Sequence, residues 1–111
     1  MPIEGNVRFN LIKSDTYTLL YMETEKEYPN FNLTIEFNLI QHGKTIKVEL
    51  LGVYEPHILL PAFGPARGID SLTLTTGSYN LLFTYGSYTD YYAVQVDTCI
   101  HVIPIITNFT V

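Results

Sequence analysis

Apolar and polar residues alternate with a period of two over most of this chain. Val7, Phe9 and Leu11 alternate with Arg8 and Asn10, which predicts a first strand ending at the Ser14-Asp15 turn. Tyr17, Leu19 and Tyr21 form a second, with Leu20 and Met22 on its other side, so neither face is plainly wet. The charged run Glu23-Thr24-Glu25-Lys26-Glu27 has no apolar stripe and predicts a solvated loop. Phe31, Leu33, Ile35, Phe37 and Leu39 against Asn32, Thr34, Glu36 and Asn38 make the cleanest alternation and should lie at the centre of a sheet. Gln41-His42-Gly43-Lys44 is a hairpin turn before Ile46, Val48 and Leu50, and Leu51-Gly52-Val53 puts the pattern out of step, which predicts a bulge or bend.

Prolines and glycines between Glu55 and Gly68 leave room only for a short edge strand, Ile58 to Leu60, within a crossover connection. Residues 69 to 97 then carry the strongest organisation. Leu72 and Leu74 precede a break at Thr76-Gly77-Ser78, and Tyr79, Leu81, Phe83 and Tyr85 share one side of the next strand. Gly86-Ser87-Tyr88-Thr89-Asp90 is expected to loop back into Tyr92, Val94 and Val96. This reads as an antiparallel meander with one dry face. The final apolar segment, Cys99 to Val111, contains Pro104, which cannot donate to a ladder and so belongs at an edge.

Composition sharpens this picture. The 111 residues are 47% hydrophobic and 15% charged, enough for one core and too apolar for a disordered chain. Thr, Tyr, Val, Ile and Phe dominate over Ala, Lys and Arg, which suits strands. The expected fold is therefore a single all-β domain over residues 1–111, a two-sheet antiparallel β-sandwich of seven to nine strands, with a small closed barrel as the alternative. The segment Leu72-Thr73-Leu74-Thr75-Thr76-Gly77-Ser78-Tyr79 resembles the corner of immunoglobulin-like and transthyretin-like sandwiches, where a Gly precedes a Tyr whose hydroxyl anchors the turn. That resemblance covers about thirty residues and implies a fold rather than a family. The disulfide cysteines and core Trp of antibody domains are missing, so an immune-receptor role does not carry over.

Charge and motifs then narrow the functions. A net charge of −5, without a Lys/Arg cluster, excludes a nucleic-acid partner and disfavours anionic lipid. No apolar run is long enough for a spanning helix. The low charge and the Tyr/Thr-rich strands suit an exported chain, secreted, periplasmic or at the cell surface, with a cytoplasmic protein as the alternative. With one cysteine, Cys99, there is no intrachain disulfide. Cys99 and His101, two apart on one strand face, are weak metal-ligand candidates needing His42 or His57 from afar. The pair resembles that of small copper-binding sandwiches, but the Met of their ligand loop is missing; no cofactor is expected. No nucleophile elbow is present, and the outward acids Glu36 and Glu49 read as solubilising, so no catalytic residue is assigned.

Nine tyrosines offer the better-motivated site. Tyr85, Tyr88 and Tyr91 surround one loop and Tyr54 with His57 sits in another, so flat amphipathic rings are expected together at one end, for a protein or carbohydrate partner. Self-association through the last strand is a further expectation. The expected role is thus a non-catalytic binding or assembly domain, acting through tyrosine-bearing loops or an exposed edge. The alternative is a small-ligand or metal module with a site between the sheets or at Cys99 and His101. Asn32-Leu33-Thr34 and Asn108-Phe109-Thr110 match the glycosylation acceptor pattern.

Overall fold

A computed structural model describes every residue of the chain except Phe31 and Leu59, so the expectations placed on Phe31, and in part the edge strand at 58–60, lie outside the described residues. Among the described residues eight strands form: β1 (Val7–Lys13), β2 (Thr18–Tyr28), β3 (Thr34–His42), β4 (Thr45–Tyr54), β5 (Gly64–Leu72), β6 (Gly77–Tyr85), β7 (Tyr88–Val96) and β8 (Ile100–Ile106). The described residues contain no helix. All eight strands belong to one mixed sheet in the order β1-β2-β5-β3-β4-β6-β7-β8. The two separate antiparallel sheets expected from the alternation are not what forms. The single sheet curls until its first and last strands approach each other, a barrel left nearly closed.

Register shows how the curl is made. β2 pairs antiparallel with β1 on one side and β5 on the other, and β5 then lies parallel to β3. β4 pairs antiparallel with β3 and parallel with β6, which continues through antiparallel β7 and β8. Extra residues interrupt the ladders between Glu23 and Glu27 in β2, at Leu51 in β4 and at Ile105 in β8. Each bulge bends its strand and increases local twist, which is how a flat ribbon becomes a curved wall. The bulge at Leu51 stands where the alternation falls out of step.

The charged run 23–27 is strand, not loop. Its charges face outward and find partners across strands: the Glu23 carboxylate lies 3.7 Å from both Arg8 on β1 and Arg67 on β5. Thr24 points inward and is fully buried, its hydroxyl donating to Lys26 O at 2.8 Å and accepting from Ala66 N–H at 2.9 Å, which satisfies the bulge. A run of charges looks solvated in one dimension and becomes one face of a wall in three.

The expected meander of 69–97 is also corrected. Its first strand begins earlier, at Gly64, and pairs with β2 and β3 instead of β6. Ile58 and Leu60 lie outside any strand. The β6–β7 connection is a two-residue turn, Gly86-Ser87, between the paired residues Tyr85 and Tyr88, with Gly86 at φ 59°. Gly43, at φ 62°, makes the matching tight turn between His42 and Thr45.

The inward positions form one core. Val7, Leu20, Met22, Ile46, Val48, Leu81, Phe83, Val94 and Val96 are essentially inaccessible. The rings of Phe9, Phe83 and Tyr92 cluster with centroids 4.6, 4.8 and 5.9 Å apart. At the corner before β6 the Tyr79 hydroxyl accepts from Thr75 N–H at 3.0 Å, with the Lys44 ammonium 4.4 Å from the ring centroid.

Candidate functional site

Two places present chemistry that the core does not consume: the loop end and the open seam. β4 runs parallel to β6 with Leu50 opposite Tyr85, so the end of β4, the β4–β5 loop and the β6–β7 turn share one end of the barrel. Between Glu55 and Arg67 the chain carries no charged residue, and Pro56, Pro61 and Pro65 each lock one φ. The loop is pinned from below. The Asn32 side-chain amide donates to Ile58 O at 2.6 Å and its oxygen accepts from Leu60 N–H at 3.1 Å, while Ala62 N–H donates to Leu60 O at 2.9 Å. The pinned backbone leaves Ile58 and Phe63 each 76% exposed, with Tyr54, His57 and Leu60 exposed beside them. Exposed Glu4, Glu25, Glu27 and Glu55 surround this end, with Lys26, paired to Glu4, as the basic exception.

The tyrosines expected at the site divide. Tyr54 and Tyr88 are exposed at this end. Tyr85 turns inward, accepting from Ile3 N–H at 2.8 Å and packing its ring 6.2 Å from Phe109. Tyr91 donates to Asn80 on the wall between β6 and β7. Both glycosylation-pattern asparagines have engaged side chains: Asn32 holds the loop, and Asn108 bonds Thr89 O and Asp90.

Cys99 and His101 stand at the opposite end, around the β7–β8 turn. Asp97 organises them, its carboxylate accepting from Cys99 N–H at 2.8 Å and lying 3.8 Å from His101 Nε2. Among the described residues no three His, Cys, Asp or Glu side chains converge as a metal would require. Glu49 accepts from Asn38 at 3.1 Å, and Glu36 stands opposite Gly52, so these acids are not a facing pair.

The seam between β1 and β8 is the second place. Residues 109–111 enter it as a short strand parallel to β1: Val7 N–H donates to Phe109 O at 2.7 Å, Val111 N–H to Val7 O at 3.0 Å, and Phe9 N–H to Val111 O at 3.4 Å. Asp90 holds that strand in place. One carboxylate oxygen accepts from Asn108 N–H and its side-chain amide at 2.8 and 3.1 Å; the other accepts from Phe109 N–H, Thr110 N–H and the Thr110 hydroxyl at 3.0, 2.8 and 2.6 Å. Burial alone would raise this carboxyl, but the bonds from Thr110, Phe109 and Asn108 outweigh it and hold the group below its ordinary value. The Tyr92 phenol is pushed up by burial; a hydrogen bond to Thr110 opposes the rise and the Asp90 charge adds to it.

Beyond Val111 the seam opens into a cavity of about 420 Å³ lined by Phe9, Leu11, Tyr92, Val102, Pro104 and Thr110. Asp90 was expected in a loop. The signal that would have found it is parity: it stands two residues before Tyr92 and four before Val94, on the same inward face.

Comparison of the chain with protein-family models, curated proteins and solved structures gives no match.

Proposed function

We propose that this domain is a non-catalytic binding module of an exported or surface-attached protein, and that it engages a protein partner through the loop end. The observation that carries this is the pinned presentation of Ile58 and Phe63. A loop free to fold back would cover such side chains, whereas the Asn32 clamp and the prolines hold the backbone with the apolar groups outward. Tyr54 and Tyr88 add flat, amphipathic area at the same end.

The acidic surround selects the partner. Glu4, Glu25, Glu27 and Glu55 favour a surface whose apolar socket is flanked by Lys or Arg, and repel anionic lipid. The aliphatic side chains and the lack of Trp favour protein over sugar. An immunoglobulin-like identity is supported only by the Tyr79 corner, and the reading does not depend on it.

A displayed-peptide selection tests this. Wild type should enrich sequences combining apolar and basic residues, and those ligands should lose at least about tenfold affinity on an Ile58→Asp/Phe63→Asp variant and weaken with salt. Both substitutions are on exposed loop positions, so the variant should melt as wild type does. Selection of nothing above background, or ligands indifferent to the double variant, would defeat the reading. A glycan array on which Tyr54→Ala and Tyr88→Ala abolish a signal would favour a sugar instead.

A further inference from the structure

We propose that the outer wall made by β6, β7 and β8 is the contact face of a dimer of this chain, two copies packing wall to wall about a twofold axis. This surface is separate from the loop end and uses side chains that neither the core nor the loop end engages.

Register assembles the wall. On each strand the residues next to the buried ones face outward, and pairing aligns them in rows across the sheet. Leu82 stands opposite Tyr91 and Tyr91 opposite Ile106, which makes one apolar row. Asn80, Ala93 and Ile103 make the next. The Tyr91 hydroxyl donates to the Asn80 side chain, so both polar groups are satisfied within the wall and the ring is left as apolar area. Leu82, Tyr91 and Ala93 are half-buried by their neighbours, but Ile103 and Ile106 on the outermost strand are 52% and 56% exposed, and Ile105 at the bulge is as exposed as Ile106. Uncharged polar pairs, Ser78 with Gln95 and Thr84 with Thr89, lie on either side of the apolar rows. An apolar middle with a polar rim is the anatomy of a protein contact.

Charge selects the occupant. Two copies at −5 each repel over most of their surfaces. Across β6, β7 and β8 the one Asp, Glu, Lys or Arg is Asp90, and it is buried on the inner face. The wall is therefore a place where copies meet without like charges opposed. Its border on β4 carries Lys47 and Glu49, of opposite sign and 3.9 Å apart. A basic partner of the kind that suits the loop end finds no acidic surround on β6 to β8, and anionic lipid finds no basic one.

Shape and size fit a second copy. The molecule is 20 Å through its shortest axis, and facing sheet layers lie about 10 Å apart before side chains are added, so the walls are flattened rather than round. Four strands at about 4.8 Å and roughly eight residues at about 3.3 Å give a wall of about 19 by 26 Å, or about 500 Å² in plane. Two such faces total about 1,000 Å², the size at which a specific interface begins. A twofold axis in the contact plane, running across the strands between the two apolar rows, sets each row on the other and brings Ile103 of one copy to Ile106 of the other. Such a contact is closed, so assembly stops at the dimer. Pairing of two β8 edges is a different arrangement, and Pro104 with the bulge at Ile105 prevents it.

The test is sedimentation velocity on the full chain from about 1 µM to 1 mM, where a contact of this size should give a reversible dimer with a midpoint of roughly 10–100 µM. Ile103→Lys and Ile106→Lys, each at an exposed position, should raise that midpoint at least about tenfold with unchanged circular dichroism and melting. Lys reduces the net negative charge, so a loss of association comes from the wall and not from added repulsion. Salt should tighten the dimer by screening the repulsion between copies, whereas it weakens ligands of the loop end, and the Ile58→Asp/Phe63→Asp variant should dimerise as wild type does in high salt. Four results would overturn the proposal: a monomer at the highest concentration; a dimer lost in the loop-end variant and indifferent to both Lys substitutions; species that grow past the dimer; or wild type, but not Ile103→Lys, co-sedimenting with phosphatidylcholine vesicles, which would assign the wall to lipid.

Discussion

Asp90→Asn is the most informative single change, because it keeps the shape of the side chain and alters only what its two oxygens can accept. In the wild type, one oxygen faces two donors and the other three. Whichever way the new amide turns, its NH₂ meets donors, so at least two bonds are lost and buried N–H groups are left facing another donor. Hydrogen bonds to a charged acceptor contribute roughly 1.5–3 kcal/mol each, so the gross loss is about 3–6 kcal/mol. Removing a buried charge recovers part of that, since desolvating a carboxylate costs several kcal/mol. The loss of bonds wins, and the net destabilisation should be about 2–4 kcal/mol, a large share of the 5–15 kcal/mol typical of a domain.

In urea this corresponds to a midpoint lowered by about 1–2 M, with the slope unchanged. The same variant carries a pH signature. Asp90 has a folded-state pKa below its ordinary 3.8, so the unfolded chain takes up the proton more readily. The stability it contributes is complete above that value and is lost as pH falls through the folded one. Wild-type midpoints should therefore drop as the pH goes below about 4, and the Asn variant should lack that part of the drop. Denaturation followed by tyrosine fluorescence, at neutral pH and stepwise into acid, reads both effects. A variant within about 0.3 M of wild type in urea, or with an identical acid limb, would refute the account of Asp90 as the clamp on residues 108–110.

Other parts of the fold are open to similar checks. Thr24→Val removes the hydroxyl that accepts from the buried Ala66 N–H, and should cost about 1–3 kcal/mol, read as a lower melting temperature. Gly52→Ala would set a Cβ 2.9 Å from Met1 O at φ 156°; a loss of about 1–3 kcal/mol and faster exchange of Val53 N–H, which bonds that oxygen at 2.7 Å, are expected, and an unchanged Val53 would contradict the contact. Tyr79→Phe leaves Thr75 N–H without the corner hydroxyl and should cost about 0.5–1.5 kcal/mol in chemical denaturation, with no change in strand content by circular dichroism.

Strands and their inward faces were legible in the chain because side chains two apart share a side whatever the strand pairs with. Leu81 and Phe83, Ile46 and Val48, and Val94 and Val96 are buried as their spacing requires. The same holds for the turn glycine at 43, the bulge at Leu51 and the edge position of Pro104. The hairpin pairings of β3 with β4 and of β6 with β7 were legible from their turn glycines; pairing between strands joined by longer connections was not, because alternation is the same in a sandwich and a barrel and does not say which neighbour a strand meets. Only the tertiary structure set β5 between β2 and β3, put β4 beside β6, and drew the charged run 23–27 into a wall where Arg8 and Arg67 flank Glu23. The candidate sites divide the same way. Exposed His57 was visible as a loop residue, whereas Tyr54, expected in the same loop, is the last residue of β4; the clamp by Asn32, the burial of Asp90 and the seam it holds depend on groups far apart in sequence. Local spacing carries a residue's own facing; contacts across long loops arise only when the sheet closes on itself.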